Sequence, residues 1–265
     1  MITDVRTSKS PLIFFLWLFI ISVPFWLIGA LTERFLPKDL PINLPLSSLM
    51  TFNPMIVALI LVFRESGTAG VKGLLKRSFD YRSIQQKIWY LPIFLLMPLI
   101  MVLEFGLLNL MGNSIPYPEF SILIVPVFFL IFFITALGEE VGWQGYAFDP
   151  LQNRWNALEV SIILGIVWAV WHIMPYIQTH NTPTWILWQC VTTVGLRVLI
   201  VWFYNNNGKS LFAAITFHAM INVSTFLFPN YGSYYNPFIA SIIIAVAVAT
   251  VVIVWGPKTL AQHRY

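Results

Sequence analysis

Charge is what this sequence is short of. Only 10% of its 265 residues are Asp, Glu, Lys or Arg, against 58% hydrophobic and 16% aromatic. A water-soluble domain carries about a quarter charged residues, so a globule surrounded by water is excluded. Cysteine is scarcer still, with Cys190 the single example. That excludes an intrachain disulfide and a zinc-binding cysteine pair, and leaves Cys190 as a small packing residue. No cluster of basic residues with interleaved aromatics stands outside the apolar stretches. The formal net charge of +4 therefore points to no nucleic-acid partner. Internal repeats and low-complexity tracts are absent as well.

What is present is a series of long apolar runs. Eight of them, at 11–31, 44–63, 88–110, 120–147, 158–177, 184–204, 210–228 and 236–256, approach or exceed the ~20 residues that a bilayer core requires. The expectation is an all-α, polytopic membrane protein, one integral domain over 1–265, with lipid as its main surroundings. The first run is too long for a signal-peptide core and lacks a small-x-small cleavage site, so it reads as a retained span. The last is β-branched and featureless, and reads as a lipid-facing wall.

Orientation follows from lysine and arginine. With a cytoplasmic N-terminus, the inner segments hold Arg6, Lys9, Arg64, Lys72, Lys76, Arg77, Arg82, Lys87, Arg154, Lys209, Lys258 and Arg264, twelve in all. The outer segments hold two, Arg34 and Lys38. That bias places both termini in the cytoplasm. The basic stretch 64–87 is expected to include an amphipathic surface helix, VKGLLKRSF.

Against this background the ionisable residues inside spans stand out: Glu104, Glu139, Glu140, His172, Arg197 and His218. Such groups are costly in lipid and face a protein interior or a watery cavity. Glu139 and Glu140 close an uncharged run, in GEEVGWQGY. Helical neighbours point about 100° apart, so one acid can face a reaction site while a partner holds the other. His172 follows Trp168 by four residues, and Asn222 follows His218 by four, so each pair shares a helix face. By rise along their helices, His172 lies roughly 20 Å, and His218 and the glutamates roughly 12 Å, from the inner ends. One cavity in the inner half of the membrane, opening toward the cytoplasm, is the expected arrangement. Glu104 lies nearer the outer face and reads as a structural or interfacial acid.

Carboxylates and imidazoles around a polar pocket suit water activation. Glu139 or Glu140 can take a proton from water while imidazole holds or shuttles it. Asn222 and an imidazole N–H can stabilise the oxyanion formed when hydroxide attacks a carbonyl. The helical H-E-x-x-H of common zinc proteases is absent. A metal held by two histidines and one glutamate, with the second glutamate as base, is chemically open. No serine occupies a G-x-S-x-G setting.

Three elements, Glu139-Glu140 in GEEVGWQGYAFDPLQ, Trp168-x-x-x-His172 followed by Pro175, and His218-x-x-x-Asn222, resemble the motifs of the CAAX-protease and bacteriocin-processing family, the Rce1-like intramembrane proteases. The resemblance covers 139–222, with order and spacing intact. It implies an Rce1-like bundle in a bacterial plasma membrane, a peptide or membrane-protein substrate and no required cofactor. It further implies Glu139 as base with His172 beside it, and His218 with Asn222 at the substrate carbonyl. Bacterial members are linked to peptide maturation and bacteriocin self-immunity. Two positions depart from the family pattern. Gln144 stands where an arginine is usual, and Trp168 where phenylalanine is common. Arg197, in the sixth run, is expected to supply the countercharge to Glu140 that Gln144 cannot. The rival classes are a membrane immunity or binding protein without catalysis, and a proton-coupled transporter, which the lack of repeated halves disfavours.

Overall fold

The protein is described here by a computed structural model covering residues 10–32, 46–179 and 181–261. Arg6, Lys9, Arg34, Lys38 and Arg264 lie outside the described residues. Within them every regular element is helical. Helix α1 spans Pro11–Thr32. A 3₁₀ stretch, Leu46–Phe52, feeds α2, Asn53–Ser78. Helix α3 is Tyr90–Leu110, and α4 is Val125–Gly142. Helix α4 passes into a π-helix, Trp143–Phe148, and then into α5, Asp149–Gln152. Helices α6, Ala157–Gln178, α7, Pro183–Asn206, α8, Leu211–Phe226, and α9, Pro237–Trp255, complete the bundle.

Local chemistry sets most of these boundaries. Proline occupies the first turn of α2, α4, α7 and α9, where its missing N–H costs nothing. Asn156 and Glu159 form a reciprocal capping box at the start of α6. Thr182, Ser210 and Asn236 accept backbone N–H groups at the starts of α7, α8 and α9. In α2, Gly67 at φ 62° and ψ −160° breaks the helix, a conformation open to glycine alone at little cost. Beyond the break, Leu74 and Ser78 are buried while Lys72 is exposed. This is the expected amphipathic surface helix, which continues α2 rather than standing apart from it.

Among the described residues, seven helical segments are long and apolar enough to span a bilayer. The eighth expected span is shorter than the sequence suggested. Helix α8 has 16 residues, about 24 Å of rise. It packs against α3, α4 and α7, so protein rather than lipid surrounds it and its length need not match the hydrocarbon thickness. A coat of exposed Leu, Ile and Val covers the outside of the bundle, including Leu16, Val102, Leu130, Ile166 and Ile253. Helix α9, expected as a lipid-facing wall, exposes Val246, Ile253 and Val254 and packs its other side on α7 and α3.

Close approach of α4 to the 46–54 segment depends on two glycines one turn apart. A Cβ at Gly138 would sit 2.7 Å from the Thr51 carbonyl oxygen, and one at Gly142 2.5 Å from that of Pro54. Only hydrogen fits at either place, in the manner of small-residue contacts between membrane helices.

The two faces of the bundle differ in charge. The starts of α1, α3, α6 and α8 share one face with the ends of α2, α4, α7 and α9. Phe14 of α1 packs on Trp143 and Tyr146, and Ala157 N–H bonds the Lys258 carbonyl. The described chain therefore begins and ends on one face. Arg77, Lys209 and Asp149 lie there too, joined through Tyr204.

Candidate active site

Glu139 and Glu140 leave α4 in different directions, as consecutive helical residues must, and enter separate hydrogen-bond systems. Glu139 meets α6 and the 3₁₀ stretch. Its Oε2 accepts the Trp168 indole N–H at 2.6 Å, and its Oε1 accepts the Thr51 hydroxyl at 3.2 Å. His172 Nε2 stands 3.9 Å from the same Oε1. The Nδ1 of His172 donates to the Trp168 carbonyl at 3.0 Å, so this tautomer leaves a lone pair on Nε2 facing the carboxylate. The ring is further held by Trp171 and, in a stacked contact, by Tyr176.

Glu140 meets α7 and α8. Arg197 Nη1 donates to Oε2 at 2.7 Å, and His218 Nδ1 donates to Oε1 at 2.8 Å. Glu140 and Arg197 are both fully buried. The Arg197 guanidinium also lies over the Trp168 ring, 4.2 Å from its centroid, a cation–π contact strengthened by the dry surroundings. Trp168 therefore links the two systems, its N–H on one acid and its ring face on the cation of the other. A phenylalanine could supply the ring but not the N–H.

Of the residues singled out from sequence, Glu139, Glu140, Trp168, His172, Arg197 and His218 converge. Arg197 stands against Glu140 as a countercharge. Gln144 is fully buried, with neither amide atom hydrogen-bonded among the described residues, and it takes no part in holding Glu140. Asn222, one turn beyond His218 on α8, is half-buried and has no hydrogen-bond partner among the described residues. Glu104 lies toward the outer face as a structural acid. It is fully buried and its Oε1 accepts the Asn236 N–H at 2.7 Å, at the start of α9. Two neighbours of the site escaped sequence reasoning. Tyr176 carried a usable signal, its i+4 spacing from His172. Thr51 carried only a weak one, a polar residue just before Asn53-Pro54, because its approach to Glu139 is set by the tertiary contact at Gly138.

The expected opening toward the basic face is not what the structure shows. From Glu140 toward that face, every residue from Val141 to Phe148 is buried, as are Leu196 to Asn205 on α7. The exposed edge lies at the other end. Thr135 on α4, His172 and Tyr176 on α6, and Asn222 on α8 are all partly exposed. The His172 side chain is 20% accessible and that of Glu139 7%. The physical reason is the π-helix. Its wide turns carry Trp143, Tyr146 and Phe148 into the bundle and fill it below the acids.

No group of three or more His, Cys, Asp or Glu residues converges in a metal-binding arrangement among the described residues. Both oxygens of Glu140 are committed, one to a guanidinium whose charge would oppose a metal ion beside it.

A carboxylate and an imidazole at a partly exposed edge, backed by a buried ion pair inside a helical bundle with an apolar coat, mark a multi-pass membrane protein. Comparison with known proteins specifies the class. The family model described as "Type II CAAX prenyl endopeptidase Rce1-like" matches residues 121–224. The chain is 32% identical over 232 residues to "CAAX prenyl protease 2" of the archaeon Methanococcus maripaludis, covering 81% of this chain and 83% of that one. The protein belongs to the Rce1-like family of membrane endopeptidases.

Proposed function

We propose that this protein hydrolyses a peptide bond with a water activated by Glu139, in a membrane-embedded site of the cell membrane, and that no metal takes part. One observation carries the reading. Of the two acids, only Glu139 combines a partly exposed edge with a histidine lone pair 3.9 Å away. A water bound between Glu139 Oε1 and His172 Nε2 is held by two acceptors and can lose its proton to the carboxylate. The hydroxide formed attacks the substrate carbonyl. Glu139 then returns the proton to the leaving amide nitrogen, and His172 keeps the water and the acid aligned. Asn222, whose carboxamide is otherwise unpartnered, supplies a donor to the oxyanion, and His218, fixed by Glu140 through Nδ1, stands beside the substrate carbonyl.

Trp168 and Thr51 steady Glu139 as donors, and Arg197 with Glu140 steadies His218. The relative's name, a CAAX prenyl protease, supports a membrane-proximal peptide as substrate, and peptide maturation or bacteriocin self-immunity are the processes in which such cleavage would serve. Retention of all these contacts together is what favours catalysis over a binding role.

The test is cleavage of a peptide library by purified protein, read by mass spectrometry, for the parent and Glu139→Gln. The amide keeps the shape and loses the base, so cleavage should fall by about two to four orders of magnitude while thermal stability is retained. Cleavage by the parent should persist in strong chelators. Undiminished cleavage by Glu139→Gln refutes the role of Glu139, and chelator-sensitive cleavage refutes the metal-free mechanism.

A further inference from the structure

The two ends of the bundle differ in charge and in packing, and the two differences bear on each other. All nine Lys and Arg residues described in loops or at helix ends (Arg64, Lys72, Lys76, Arg77, Arg82, Lys87, Arg154, Lys209 and Lys258) belong to one face. The described connections at the other face, 111–121, 181–182 and 227–236, contain no cation, and by sequence the outer connection outside the described residues, 33–45, adds two, Arg34 and Lys38. Such an asymmetry places the basic face in the cytoplasm.

That cytoplasmic face is closed. Arg77 donates to the Tyr204 hydroxyl at 2.8 Å, and Asp149 accepts from Tyr204 and from Lys209, each at 3.0 Å. Ser83 and Ser210 hydroxyls meet at 2.6 Å, joining the loop before α3 to the start of α8. Beneath this layer lies a plug of Trp143, Tyr146, Phe148, Phe203 and Phe217, none more than 1% exposed. The plug extends about 10 Å, the rise from the start of α8 to His218.

The opposite face is less tightly packed and aromatic, with Thr135, His172, Tyr176 and Asn222 partly exposed toward it. On the α4–α8 side, Phe226 packs on Phe128 at 4.7 Å and on Phe132 at 5.5 Å between ring centroids. On the α6–α7 side, Tyr176 packs edge-on to Trp185 at 5.5 Å. Phe226 also borders a recess of about 420 Å³ whose wall includes Glu119.

We infer that the site receives its peptide from the side of the membrane opposite the cytoplasm, as an extended segment that is apolar or aromatic around the cleaved bond. This rests on the hydrolytic reading above and adds the side of entry and the substrate chemistry. Two aromatic walls accept flat or branched apolar side chains.

Two measurements separate this inference from the reading on which it rests. First, Thr135→Cys, one turn above Glu139, and Lys209→Cys, on the basic face, are each made in a Cys190→Ser background and exposed in intact cells to a membrane-impermeant maleimide. Thr135→Cys should label without permeabilisation and Lys209→Cys only after it. The reverse pattern overturns the inference whether or not any peptide is cut. Second, an apolar peptide bearing an impermeant dye is offered to sealed right-side-out and inside-out vesicles. Cleavage should occur in right-side-out vesicles alone. Cleavage confined to inside-out vesicles overturns the side of entry and leaves the protease reading intact. Absence of cleavage even in detergent counts against the protease reading, and the labelling then decides the side of opening alone.

Discussion

Replacing Arg197 with methionine tests the physical centre of the site. The side chain is fully buried, donates to Glu140 Oε2 at 2.7 Å and lies on the Trp168 ring. Two unit charges at 2.7 Å attract by about 6 kcal/mol at an effective dielectric of about 20. Much of that attraction offsets the desolvation of the two groups, so the intact pair is a poor measure of its own worth. Breaking it is another matter, because Glu140 is then left buried beside a neutral side chain. Loss of one partner from a buried pair costs about 3–5 kcal/mol. With a shift of about 2–4 °C per kcal/mol for a chain of this size, the melting temperature should fall by about 6–20 °C.

The assay is thermal unfolding of purified protein in detergent, for the parent, Arg197→Met, Glu140→Gln and the double variant. The double variant removes both charges. It should melt above the sum of the single losses, with a coupling on the order of 1–3 kcal/mol. A further variant, Arg197→Gln with Gln144→Arg, moves the cation to position 144, one turn from Glu140. It should regain part of the lost stability and activity. If Arg197→Met melts within about 2 °C of the parent, or if the single losses simply add, the ion pair is not what holds Glu140 and the reasoning fails.

Two other perturbations probe the surroundings. Trp168→Phe keeps the ring under Arg197 and removes the 2.6 Å N–H bond to Glu139. A hydrogen bond to a charged group contributes about 1.5–3 kcal/mol, so the melting temperature should fall by about 3–12 °C and kcat should drop as Glu139 loses its fixed position, and an unchanged kcat refutes the positioning role. Gly142→Ala places a Cβ 2.5 Å from the Pro54 carbonyl oxygen. It should push α4 off the 46–54 segment at a cost of about 1–3 kcal/mol, readable as a lower melting temperature. A variant as stable as the parent would show that the close approach is dispensable.

The sequence alone determined which stretches enter the membrane and which face is basic. Span length and loop charge are local properties, and lipid enforces them segment by segment. It also grouped Glu139, Glu140, Trp168, His172 and His218, because acids and imidazoles in apolar helices are rare enough to be counted. The length of α8 was not legible, since enclosure by other helices relaxes the demand for a full span. Nor could the sequence assign the two acids to separate partners. That depended on contacts across 29, 57, 78 and 88 residues, to Trp168, Arg197, His218 and Thr51. Spacing along one helix shows that adjacent carboxylates diverge, but only the packing of four others shows where each arrives. The direction in which the site opens was decided at the same level. Rise along each helix located the acids in depth. Whether the space above or below them was filled depended on where the π-helix turned its aromatic side chains, and no single segment carries that information.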